Sequence, residues 1–119
     1  MRPKLAARRR EKMGIDDDIA VRLSAQRALL GHVTPQLRAV SVELDRECRR
    51  LTVRFVFDGE PSESVRDAAS CAGTEMIADR PDGWTIDEQI VVCEAPAQAD
   101  HLRHVVYARC EDGWVRPRA

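Results

Sequence analysis

Aromatic side chains are scarce in this chain: two Trp, two Phe and one Tyr in 119 residues. Small α+β domains that bind RNA or single-stranded DNA stack bases on exposed rings, whereas Phe55 and Phe57 both fall in the apolar register of one strand. Glycine is sparse too. The six glycines stand singly at turns or element ends, apart from Gly73, so no glycine-rich loop is present to cradle a nucleotide phosphate. The four cysteines (Cys48, Cys71, Cys93 and Cys110) contain no pair at two- to four-residue spacing, which is not a zinc pattern. We expect reduced thiols, with Cys71, Cys93 and Cys110 as small apolar packing residues. A Cys93–Cys110 disulfide across neighbouring strands is the less favoured alternative. No apolar run reaches the length of a secretory signal core or a membrane span. The expected compartment is the cytoplasm, with no membrane partner.

Charge, by contrast, is abundant. It makes up 33% of the chain and nearly balances, leaving a net charge of −1. The balance hides an asymmetry: residues 1–14 carry six basic side chains (Arg2, Lys4, Arg8, Arg9, Arg10, Lys12) against Glu11, and the remaining chain is acidic. This leader reads as a nucleic-acid arm, a targeting segment or a solvated extension, and the last is favoured. Met13-Gly14, just ahead of the first periodic segment, fits a leader that is an upstream start. We treat residues 1–14 as a basic disordered leader, 15–112 as a single α+β domain and 113–119 as a tail in which Trp114 folds back. An acidic body opposes phosphate contact, so nucleic acid is disfavoured as a partner.

Periodicity organises the rest. Ile15, Ile19, Leu23, Leu30 and the small Ala20 recur at helical steps behind Asp16-Asp17-Asp18, whose carboxylates suit a helix N-terminus. The spacing predicts a helix from about Asp17 to Leu30, stopped by Gly31 and Pro35. The period then falls to two over Leu37–Asp45, with Val40, Val42 and Leu44 on one face. It continues in Leu51, Val53, Phe55 and Phe57, and the two strands form an antiparallel hairpin. Pro61 suits the first position of a second helix, whose stripe is Val65, Ala69, Ala72 and Met76, with Ala68 and Ile77 beside it. Gly73 in that stripe implies close approach of a neighbouring element. Asp79–Gly83 ends the helix. A third strand runs from about Trp84 to Glu94 with Ile86, Ile90 and Val92 in register, and a fourth from His104 to Cys110. The predicted fold is a two-layer α-β-β-α-β-β arrangement: a mainly antiparallel four-stranded sheet made of two helix-plus-hairpin units, both helices on one face. The other face would be open, exposing Ser41, Glu43, Arg54, Thr85, Asp87 and Gln89.

Few residues offer chemistry. His101 and His104 could share a metal only on a helix; on a strand their odd separation sends them to opposite faces, and surface histidines are the favoured reading. Glu75 sits near an apolar stripe, as a boundary carboxylate that reaches water or pairs with arginine. Ser62, Ser64 and Ser70 lack a nucleophile elbow, and Cys71 has no nearby base to lower its pKa. No metal or cofactor is expected.

The run from Arg27 to Val42 (RALLGHVTPQLRAVSV), with Phe55-Val-Phe-Asp-Gly59, Thr74-Glu-Met-Ile-Ala-Asp79 and Val106-Tyr-Ala-Arg109, resembles a group of small bacterial α+β proteins associated with the immunity proteins of polymorphic toxin systems. The resemblance spans most of residues 16–110. It implies a non-catalytic module that binds a protein partner, a toxin, through a charged face. Glu43, Glu75, Asp87 and Glu88 are the candidate contacts. A homodimer is a further possibility. The alternatives are a small enzyme using a carboxylate or His104 in a cleft, and nucleic-acid binding through the leader.

Overall fold

The structure, a computed structural model, describes the backbone of residues 3–111 and the side chains of residues 16–111. Six elements follow in the expected order: α1 (Pro3–Ala28), β1 (Leu37–Asp45), β2 (Arg50–Phe57), α2 (Glu63–Ala78), β3 (Thr85–Val92) and β4 (His104–Ala108). Residues 113–119, Trp114 included, lie outside the described residues.

The strands lie in the order β3-β2-β1-β4. β1 runs antiparallel to both β2 and β4, and β2 runs parallel to β3, so the sheet is mixed. The second hairpin therefore does not exist. α2 carries the chain back from the end of β2 to the start of β3, the return a parallel pair requires. The eleven residues 93–103 then cross the width of the sheet, about 14 Å for three strand spacings, to reach the opposite edge.

The helix-facing side holds one core. Val40 and Val42 of β1, Leu51, Val53, Phe55 and Phe57 of β2, and Ala69, Ala72 and Met76 of α2 are buried together with Val21, Ala25, Ala28 and Leu29 of α1. The stripe read for α2 is the buried one. Its cap is Ser62, whose hydroxyl accepts from the Val65 N–H, so Pro61 precedes the cap instead of opening the helix. Gly73 is the close approach that its position implied: a Cβ there would lie 1.9 Å from Oε2 of Glu88.

α1 departs from expectation in two ways. It begins at Pro3, so its backbone continues through the leader and the acidic run is interior to the helix. The helix formers Ala6, Ala7, Arg8, Arg9, Arg10, Glu11 and Lys12 favour that extension. Its buried stripe is also a different one: Val21, Ser24, Ala25, Ala28 and Leu29 are buried, while Ile19, Leu23 and Leu30 are 49%, 51% and 76% exposed. Two apolar stripes compete on this helix, and the acids decide between them. Asp17 reaches Arg46 and Arg80, and Asp18 reaches Arg46 and His104, at 3.2–3.6 Å. Those contacts turn the Asp17-Asp18-Val21-Ser24-Ala25-Ala28 face inward. The small side chains of that face let the helix pack closely. Gly31, at φ +83°, breaks the helix direction as foreseen.

The face expected to be open is covered. Ser41 is fully buried, as are Ala39 and Val56, because residues 93–103 lie across them. Main-chain groups of the crossing segment bond to side chains of the sheet. Leu102 N–H donates to Ser41 Oγ (2.9 Å), Arg103 N–H to Glu43 (3.3 Å) and Ala95 N–H to Asp58 (3.1 Å), while Arg54 donates to Asp100 O (3.0 Å). Of the six residues assigned to that face, only Glu43, Thr85 and Asp87 are exposed. The four cysteines are reduced thiols, as expected, but the packing role assigned to three of them fails. Cys71 and Cys110 are exposed and Cys93 is half-buried, so packing is not their common role. Cys93 and Cys110 follow strands at opposite edges and are not cross-strand neighbours.

Candidate interaction surface

β3 is an edge strand, and its pleat sets two acids side by side in sequence but on opposite faces. Ile86, Glu88 and Ile90 pair in register with Leu51, Val53 and Phe55, which places Glu88 in the row that faces the helices. There it meets α2 at Gly73, and Ser70 Oγ donates to its Oε1 at 3.4 Å. Burial against the helix pushes the Glu88 carboxyl above its ordinary range, against the weaker pull of the serine. Among the described residues no cation lies within ion-pair distance of it.

Asp87 faces the other way. It pairs in register with Thr52 and accepts from Gln89 Nε2 (3.2 Å). Gln89 in turn accepts from Arg54 Nε (2.9 Å). Glu43 flanks Thr52 from the β1 side, so Asp87 and Glu43 share a face with one strand between them. Glu75 stands apart on the outside of α2, with Oε2 3.6 Å from His32 Nδ1, the nitrogen that donates to Ala28 O. The four candidate acids are thus not one cluster. Asp87 and Glu88 share the β3 edge, Glu43 lies inward from it, and Glu75 belongs to a separate helix surface.

The histidines separate as their spacing requires. His101 sits in the crossing segment near Arg38 and Ala108. His104, paired in register with Val42, faces the helices with Nε2 3.6 Å from Asp18. Among the described residues no three His, Cys, Asp or Glu side chains are placed to share a metal ion.

Two charged groups of structural weight escaped the sequence reading. Arg38, at a bulge in β1, is nearly buried and donates from Nε and NH2 to both oxygens of Glu111 (2.6 and 2.7 Å) and from NH1 to Cys93 O and Ala97 O (2.6 and 2.9 Å). Beside it Arg109 donates to Asp58 (2.8 Å), Glu111 (3.1 Å) and Pro35 O (2.8 Å). Hydrogen bonds from Arg38 hold the Glu111 carboxyl below its usual range, and those from Arg109 and the Ala95 N–H do the same for Asp58. The second is the set Asp17, Asp18, Arg46, Arg80 and His104, in which the buried Arg80 stacks on Trp84 at 4.4 Å. The only signal for either was the presence of a charge inside an apolar pattern.

A family model described as MafI2 immunity protein matches residues 18–111. The chain belongs to the MafI2 immunity protein family. The MafI2 region contains both members of the Arg38–Glu111 pair and all four candidate acids, and it excludes the basic leader. No curated protein matches the chain.

Proposed function

We propose that the chain is a non-catalytic binding module that neutralises a bacterial toxin by occupying it. The observation that carries this reading is the MafI2 immunity match over residues 18–111. The acids of β3 support it, because among the described residues they form no ion pair, and unneutralised charge at a surface is what steers a basic partner and rejects wrong ones. Glu43, Glu75, Asp87 and Glu88 are the proposed contacts, with Asp87 and Glu88 at the centre. The proposed compartment is the cytoplasm, where a toxin is met before it acts.

The test is co-expression with a toxin domain recovered by pull-down with this chain from its native host. Expected are survival of the host and a stoichiometric complex on size exclusion. Loss of viability with no complex would refute the reading. The enzyme alternative gains nothing from His104, whose nearest carboxylate, Asp18, is shared with Arg46 as part of the α1 docking contact.

A further inference from the structure

The edge of β3 carries more than charge. In a parallel ladder alternate residues of a strand direct their backbone groups to the neighbour. Thr85 N–H donates to Arg49 O and Cys93 N–H to Phe57 O, both at 2.9 Å, which assigns the odd-numbered residues of β3 to the ladder with β2. The N–H and C=O groups of Ile86, Glu88, Ile90 and Val92 therefore point away from the sheet. Among the described residues β3 is the terminal strand, eight residues long. The opposite edge differs: β4 has five residues and a register shift against β1.

We infer that β3 is the docking strand for the toxin: an extended segment of the toxin adds to its free edge and places basic side chains at adjacent positions, one against Glu88 on the helix side and one against Asp87 on the outer side. This rests on the toxin-neutralising reading above and names how that contact is made. A row of unpaired backbone donors and acceptors is a template for one more strand. The two acids choose which strand. Self-pairing of two copies centred on β3 would set like charges against each other, which is destabilising across a strand pair. A basic segment relieves that repulsion. It also gives Glu88 the cation that the described residues do not supply, and Gly73 holds that carboxylate at the edge by leaving room for it on α2.

Amide hydrogen exchange followed by NMR, on the free chain and on its complex with the toxin domain from the co-expression experiment, reads this contact residue by residue. In the free chain the amides of Thr85, Asp87, Gln89 and Val91 are protected and those of Ile86, Glu88, Ile90 and Val92 exchange freely. In the complex the second set slows by at least about tenfold. D87N/E88Q lowers affinity by at least about tenfold, as expected when one side of an interfacial charge pair is removed, and the free double variant keeps its fold. A complex that forms without protecting the even-numbered amides overturns strand addition and leaves immunity standing. Protection that rises with concentration in the free chain assigns the edge to a second copy instead and also overturns it. Absence of any complex removes the toxin-neutralising reading itself.

Discussion

The two edges of the sheet are finished in opposite ways. Beside β4 two arginines are matched: Arg109 with Asp58 and Glu111, and Arg38 with Glu111. Along β3, among the described residues, two acids stand without a cation, and one of them is pressed against a helix at some cost in solvation. The first arrangement holds the chain in its own shape. The second leaves its charge available to another molecule.

The largest expected effect lies on the matched side. Arg38→Ala leaves Cys93 O and Ala97 O without the guanidinium and Glu111 with Arg109 alone, and should lower stability by about 2–4 kcal/mol, the scale for removing one member of a poorly solvated, hydrogen-bonded ion pair. Urea unfolding measures it, and a loss below 1 kcal/mol would show that the cluster does not secure the crossing segment. On the unmatched side, Asp87→Lys with Glu88→Lys should weaken toxin binding about 100-fold while Tm hardly moves. Equal losses of stability on both sides would erase the contrast.

Acid sharpens it further. Asp58, Asp79 and Glu111 all titrate below their usual range, through bonds from Arg109, Ser24 and Arg38 respectively as the leading causes. Their stabilisation is complete above the ordinary carboxylate range and is lost as pH falls through their lowered values. Glu111→Gln should therefore flatten the acid limb of a stability–pH curve. Glu88 has the opposite sign: its raised carboxyl favours the protonated fold, so stability falls as pH rises through its range. Glu88→Gln should raise Tm slightly at neutral pH while it weakens the complex. The smallest effect belongs to the unused stripe of α1, where Leu23→Ser should stay within about 0.5 kcal/mol of the parent, whereas Val21→Ser costs more. Thermal melts decide whether that stripe is as idle in the free chain as its exposure indicates.

Much of the fold was legible from local pattern. The β1–β2 hairpin, the α2 stripe and the significance of Gly73 all follow from periodicity and glycine placement within one element or between neighbours. What could not be read was non-local. β3 pairs with β2 across a helix, and no spacing in β3 or β4 announces that they lie at opposite edges. The face of α1 is set by contacts from Asp17 and Asp18 to Arg46, Arg80 and His104, residues about 30 to 90 positions away, and Ser24 and two alanines form much of a stripe that apolar size alone ranks below Ile19 and Leu23. The candidate acids were identifiable as acids, but their grouping was not. Only for Glu88 was there a usable sign, its place between Ile86 and Ile90 in the apolar register.

The segment 93–103 is held almost wholly by its main chain: the bonded groups are the carbonyls of Cys93, Ala97 and Asp100 and the N–H groups of Cys93, Ala95, Ala97, Leu102 and Arg103. The side chains that grip it belong to the sheet. Its exposed side chains at Glu94, Gln98 and His101 therefore carry little of its anchoring, and substitutions there should leave its course over the sheet unchanged.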